Sequence, residues 1–368
     1  MNNILSIKLS SVYLLSLLAL LALAAVLYVY AFINLLEIGE TVGHGFQAIV
    51  QSDTILFRDI YQNFNIGAYL DANVKNTVFP AVIWSAIDGN WYISIIVNIA
   101  FLFGAAIYLR RIAEQLEINV NYKIMLFLVF LPETFIYLIG ILKEIPTLLF
   151  FSATTFYFLK KQWYKFLLCL LFLTLFRYQF IFSLALFVFG YKIFGRNNIR
   201  FLFVVFAVLS ASYPLLVNTV QGLGLEDARL YREIGAGLGI GAWVESIQLN
   251  VYGISFFATI VKFFQMMVEP WPALNLYDES GVNIIAILYA ISAVIWLPIW
   301  FKYFRHVFYA IRKPGSLTRD QNVILCISFS FLIMVALNSF VHHRYLYPGM
   351  GLILLIAFVP MVSRKNSN

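Results

Sequence analysis

Arg177 is flanked on both sides by apolar residues. Leu-Phe-Leu-Thr-Leu-Phe precedes it, and Phe-Ile-Phe follows Tyr178-Gln179. A guanidinium keeps its charge at physiological pH and needs an anion. An ionisable group at membrane depth is costly and marks a candidate site. Its anion is either a carboxylate of this chain, Glu133 or Glu144, or a phosphate of a lipid-linked substrate. Lys143-Glu144 separates two apolar runs with no polar flank, and Glu133 follows Pro132 earlier in the same run. Proline breaks the helical ladder and can end a half-helix there. For Lys143-Glu144 two readings stay open, a functional pair or one that neutralises itself by snorkelling.

A second set of candidates lies in two long polar stretches. Ser52-Asp53 is followed by Arg58-Asp59. A carboxylate just beyond the first apolar run can serve as general base toward an acceptor hydroxyl. The bland reading of each of these acids is a solvated loop side chain. Asp88, in Ile-Asp-Gly-Asn, reads as a turn. Glu226-Asp227-Ala-Arg229-Leu-Tyr-Arg232-Glu233 leads into glycines at 235, 237, 239 and 241. Glycine-rich backbone beside two arginines can cradle a pyrophosphate, although the spacing matches no nucleotide-binding motif. A flexible loop is the equal alternative. In His342-His343-Arg344-Tyr345 two adjacent histidines do not share a helix face, so Arg344 is the better phosphate ligand, with His343 and Tyr345 beside it. No zinc spacing, nucleophile elbow or P-loop occurs. No organic cofactor is expected, and a divalent cation stays open.

The elements that must position these residues are membrane helices. The chain is 62% apolar and 12% charged, with mean hydropathy +0.85. A soluble chain carries about twice that charged fraction. The expected fold is an all-α polytopic bundle of about ten spans in one transmembrane domain, residues 1–368. The expected runs are Ser11–Leu36 (a retained signal anchor), Trp91–Leu109, Ile124–Leu142, Ile145–Leu159, Trp163–Phe176, Tyr178–Phe194, Phe201–Val220, Ile284–Phe304, Val323–Val341 and Pro348–Val362. Two stretches, about 37–90 and 221–283, form outer loops. Within the second, Val251–Val268 is interrupted by Lys262 and reads as an interfacial or re-entrant helix. Arg305–Gln321 reads as a cytoplasmic connector. Trp84, Trp91, Trp163, Trp271 and Trp300 read as interfacial belt residues. Cys169 and Cys326 sit inside apolar runs and imply no disulfide framework.

Charge orients the bundle. With both termini cytoplasmic, about 17 of the 25 Lys/Arg face the cytoplasm, as the positive-inside rule requires. Most of the acids face the other way. The net charge of +7 therefore reflects topology rather than a nucleic-acid partner.

The order of motifs is similar to the GT-C superfamily of polytopic glycosyltransferases. It is also similar to the O-antigen and exopolysaccharide polymerases of bacterial surface-polysaccharide clusters. The resemblance is carried by Ser52-Asp53, by Asn76-Thr-Val-Phe-Pro80-Ala-Val-Ile-Trp84 with Asp88-Gly-Asn and Asn98, by Leu131-Pro132-Glu133 leading to Lys143-Glu144, and by Arg344-Tyr345-Leu-Tyr-Pro348. It implies an enzyme of the inner membrane that acts at the outer face on a polyprenyl-phosphate- or diphosphate-linked sugar, with a glycan or lipid-linked acceptor. Membrane lipids and other polysaccharide-assembly proteins would be its partners, and nucleic acid would not. Asp53 matches the catalytic acid position, with Asp59 next. Arg58, Lys143, Glu144, Arg177, Arg229, Arg232, His343 and Arg344 would hold phosphate and substrate, supported by Glu133, Tyr178 and Tyr345. The chain departs from the pattern in lacking an Asp-x-Asp or Glu-x-Asp pair and a large C-terminal soluble domain. It also lacks glycine at the polymerase spacing after Arg58 or Arg229. The alternative from another class is a lipid-linked sugar flippase or transporter, and the plainest is a membrane scaffold.

Overall fold

The computed structural model describes residues 15–16, 18–27, 29–30, 78–118, 132–139, 143–177, 179–215, 253–268, 277–278, 281–282, 284–337 and 345–360. These are helices joined by short turns, apart from a two-residue ladder pairing Tyr277–Asp278 with Gly281–Val282. Contacts divide the chain into two compact units. The first holds Met1–Tyr178 and Asn275–Leu288, the second Gln179–Leu274 and Tyr289–Asn368. Three helical stretches among the described residues are long and apolar enough to cross a membrane: Trp91–Gln115, Gln179–Ala211 and Arg319–Ala336.

The first unit contains α1 (Leu18–Leu27), α2 (Val78–Ala86), α3 (Trp91–Gln115), α4 (Pro132–Leu138), α5 (Glu144–Leu159) and α6 (Trp163–Phe176). Asp88 and Gly89 take positive φ, 52° and 64°, so the chain turns where Ile-Asp-Gly-Asn predicts. Asn90 then caps α3, its side-chain oxygen accepting from Tyr92 N–H at 3.0 Å and Ile93 N–H at 3.1 Å. Such a cap satisfies two of the N–H groups that a helix start leaves unpaired. α3 runs past the expected end at Leu109, because Arg110 and Arg111 favour helix and Arg110 pairs with Glu114 one turn on. α5 packs on both α3 and α6. The α5–α6 turn is tight. Lys161 sits at φ 55°, and the N–H groups of Lys160, Lys161 and Gln162 close back on the last turn of α5.

The second unit contains α7 (Gln179–Phe194), α8 (Asn198–Ala211), α9 (Ser255–Val268), most of α10 (Ile284–Arg312), α11 (Arg319–Ala336) and α12 (Tyr347–Ala357). The Gln179–Ala211 stretch reverses at Gly195, φ 53°, and Phe194 stacks on Phe201 with ring centroids 4.6 Å apart. α7 and α8 therefore form a hairpin. α11 is buried along nearly its whole length and touches α7, α8, α9 and α12.

Two expectations need correction. Arg305–Gln321 is mostly helix. α10, which carries Pro298 within it, continues past Phe304 to Arg312 because no further breaker follows until Pro314-Gly315, and α11 starts at Arg319 behind a Thr318/Gln321 capping box. The true connector is six residues, 313–318. Trp91 and Trp300 are buried in protein rather than placed in a belt, whereas Trp163 is exposed. Lys262 is fully buried within α9, and its ammonium lies 5.6 Å from the Tyr213 ring. A cation over an aromatic face regains part of its lost solvation.

Between membrane helices packing replaces the hydrophobic drive, and small residues let backbones approach. Gly349 in α12 is such a position. A Cβ there would stand 2.1 Å from a ring carbon of Phe331 on α11. Gly349→Ala should destabilise the second unit by about 1–3 kcal/mol. Thermal unfolding in detergent should show a lowered midpoint, and an unchanged midpoint would mean the helices do not meet there.

Candidate functional site

The α5–α6 hairpin creates the site. Its arms hold 16 and 14 residues on either side of the Lys160–Gln162 turn. The start of α5 and the end of α6 therefore lie at the same end. Glu144 is the first residue of α5, and Arg177 caps α6 in an extended conformation, φ −151°. Arg177 Nη2 donates to Glu144 Oε1 at 2.6 Å. The side chains are 10% and 2% exposed. Each charge also complements its helix. A carboxylate suits the positive N-terminal end of α5, and a guanidinium suits the negative C-terminal end of α6.

Phe176, the residue before Arg177, belongs to an aromatic cluster. It meets Phe79 edge-on at 4.9 Å and Phe150 at 5.9 Å, while Phe150 stacks on Phe172 at 5.1 Å. The burial of both side chains lowers the local dielectric, which strengthens the pair and penalises either charge alone. Lys143 stands at the N-cap of α5, half-buried. Its carbonyl accepts from the Thr147 N–H at 3.0 Å and from the Thr147 hydroxyl. Upstream, Pro132 opens α4 as a half-helix start, as its type predicts. Asn98 on α3 donates through Nδ2 to the carbonyls of Leu138 at 3.1 Å and Tyr137 at 3.4 Å. It thereby satisfies acceptors that the end of α4 leaves unpaired.

Among the three anions open to Arg177, the structure brings Glu144. This pairing crosses the hairpin, so snorkelling of Lys143-Glu144 does not by itself account for Glu144. Glu133 is the second residue of α4. Tyr345 is half-buried just ahead of α12. Asp53, Arg58, Asp59, Tyr178, Arg229, Arg232, His343 and Arg344 lie outside the described residues. Among the described residues no three His, Cys, Asp or Glu side chains gather as a metal cluster.

Two buried polar residues had no assigned role. Lys262 was visible in the sequence as a break in an apolar run, but its burial depends on tertiary packing. His306 sets both ring nitrogens against carbonyl oxygens, Lys302 at 2.8 Å and Val359 at 3.0 Å, and so ties α10 to the end of α12. Ser255 similarly donates to the carbonyls of Ser210 and Ala211 at the end of α8. Nothing in the local sequence distinguishes such side chains, because their partners are backbone groups of other helices.

The pair has a measurable signature. Arg177→Met or Glu144→Leu alone strands a buried charge and should cost about 3–5 kcal/mol. The double variant should recover most of that loss. Unfolding of all four proteins in detergent gives the coupling, and additive losses would mean the two side chains do not interact.

Comparison with family models, with curated proteins and with solved structures gives no match, so the likeness to polytopic glycosyltransferases rests on the short sequence motifs alone.

Proposed function

We propose that this chain is an integral membrane glycosyltransferase or repeat-unit polymerase of cell-surface polysaccharide assembly. It spans a bacterial inner membrane about ten times, with both termini cytoplasmic. The observation that carries the reading is the buried Arg177–Glu144 pair at the end of the α5–α6 hairpin opposite Lys160-Lys161. The positive-inside rule assigns Lys160-Lys161 to the cytoplasm, so the pair faces the exterior. Nucleotide sugars are cytoplasmic, and an outward site must therefore draw on a sugar carried by a polyprenyl phosphate or diphosphate.

In this reading Asp53 removes the proton from the acceptor hydroxyl, and the oxygen attacks the anomeric carbon. The carrier phosphate leaves from the opposite side, which inverts the anomeric centre. Arg177, Lys143, Arg229 and Arg344 stabilise the negative charge that develops on that phosphate. Glu144 holds the Arg177 guanidinium in place for this. Arg58, Arg232 and His343 contact the same carrier, while Glu133, Tyr178 and Tyr345 support the site.

A transporter of lipid-linked sugar is the second reading. Buried Lys262 and the buried polar series Gln321, Asn322, Ser328 and Ser330 along α11 favour it, because transport needs polar groups along the depth of a bundle. The two readings separate in a deletion strain whose lipid-linked intermediates are resolved by mass. One complete repeat unit on its carrier, with single-unit surface glycan, identifies a polymerase. Long glycan lacking one sugar identifies a single-sugar transferase. Intermediates held on the cytoplasmic leaflet identify a transporter and overturn the enzyme.

Two substitutions test the assigned roles. Asp53→Asn should abolish product at normal protein level, and retained activity removes Asp53 as the base. Arg177→Lys keeps the charge but loses the planar fork, and transfer in isolated membranes should fall about a hundredfold.

A further inference from the structure

The second unit has a concave apolar groove of about 920 Å³ between α8, α9, α10 and α11. This volume lies within the range of about 300–1,000 Å³ typical of ligand pockets. Phe203, Phe263, Phe301, Phe308 and Phe329 are among its walls. Phe301 and Phe308 are 75% and 57% exposed. Any lipid-facing helix exposes apolar side chains. What sets this surface apart is its concavity and the two arginines in its wall, one midway along α10's share of it and one at its end. Arg305 and Arg312 line the same groove. They are seven residues apart on α10 and so share one helix face. Both are exposed, and neither is ion-paired among the described residues.

The surroundings strengthen that polarity. Arg200 Nε donates to the Ile311 carbonyl at 2.8 Å. A Cβ on Gly315 would lie 3.5 Å from Arg196. Arg319 Nε donates to the Tyr191 hydroxyl at 3.0 Å. The helix ends at this rim thus gather Arg196, Arg200, Arg312, Arg319 and Lys313, with Arg305 two turns up α10. An apolar trough of nearly 16 residues of helix, Leu297–Arg312, spans about 22 Å at the α-helical rise. It leads from acyl-chain depth to a cationic rim.

We propose that this groove is a binding site for a diacyl phospholipid with a net negative headgroup. The acyl chains lie along the phenylalanine-lined trough, and Arg305 and Arg312 bind the headgroup phosphate. Guanidinium groups suit a phosphate through paired N–H donors. Basic pockets between membrane helices take anionic headgroups on the same principle. The inference requires only that the second unit sits in a bilayer, and it does not depend on the glycosyltransferase reading.

Native mass spectrometry of the full chain in detergent tests it, with dioleoylphosphatidylglycerol and dioleoylphosphatidylcholine added at equal concentration. The anionic lipid should be retained about tenfold better or more. Arg305→Gln with Arg312→Gln should remove that preference, whereas Arg305→Lys with Arg312→Lys should keep most of it. Lys160→Gln with Lys161→Gln deletes two charges elsewhere and should leave it intact. All these side chains except Lys160 and Lys161 line the groove, and all are solvent-accessible enough for the variants to fold. Equal retention of the two lipids overturns the proposal, as does a preference that survives the double glutamine variant. Displacement of the phospholipid by an equal concentration of undecaprenyl phosphate, or a dimer mass in place of lipid adducts, also overturns it.

Discussion

A charge surrounded by apolar groups must be answered, and the first unit is arranged around one such answer. Arg177 ends α6 and Glu144 begins α5. For these atoms to meet, the two helices must be nearly equal in length and the turn between them must be short. The helix termini must also present the right sign to each side chain. The hairpin satisfies all of these conditions. Removing the pair would leave the packing of α5 on α3 and α6 intact in principle, but it would free the register in which they meet. A buried ion pair of this kind adds little net stability compared with apolar side chains of similar volume. Its contribution here is to define one alignment of the hairpin and to hold a guanidinium at a fixed place.

The second unit solves a related problem by other means. Its buried hydroxyl and imidazole groups reach carbonyls at helix ends: Ser255 at the end of α8 and His306 at the end of α12. Tyr303 and Ser328 bond to each other at 2.9 Å, between α10 and α11. Without water, unpaired backbone and side-chain groups cost several kcal/mol each. These cross-helix bonds therefore join elements that the hydrophobic effect alone would not order within lipid.

Much of this was legible in the sequence. Lys160-Lys161 marked the inner end of α5, and Ile-Asp-Gly-Asn marked the turn before α3, whereas the reversal at Gly195 was not marked. Arg177 and Glu144 could be placed at the same end by counting residues on each side of the turn. The choice among Glu133, Glu144 and a phosphate could not be made, because it depends on a distance of a few ångströms in space. The length of α10 was misread for a local reason. Basic residues were taken as the end of a helix, although arginine and lysine are good helix formers and mark only where the bilayer ends. The burial of Lys262, Trp91 and Trp300 was illegible for another reason. Hydropathy reports a side chain's preference for leaving water, and it does not separate protein from lipid as the destination.

The enclosure of α11 bears on how the protein is made. It carries Gln321, Asn322, Ser328 and Ser330 and is less apolar than α3, yet it is far more enclosed by its neighbours than α3 is. During synthesis each segment is partitioned between the translocation channel and lipid largely by its own hydrophobicity. A helix that is shielded only in the finished bundle has no such shield when it first emerges. Entry of α11 into the bilayer therefore favours the prior presence of α7 and α8, which precede it in the chain and pack on it in the folded protein, Ser183 of α7 meeting Ser330 at 3.2 Å. The order of helices along the chain thus doubles as an order of assembly, with the lipid-exposed hairpin in place before the segment that depends on it.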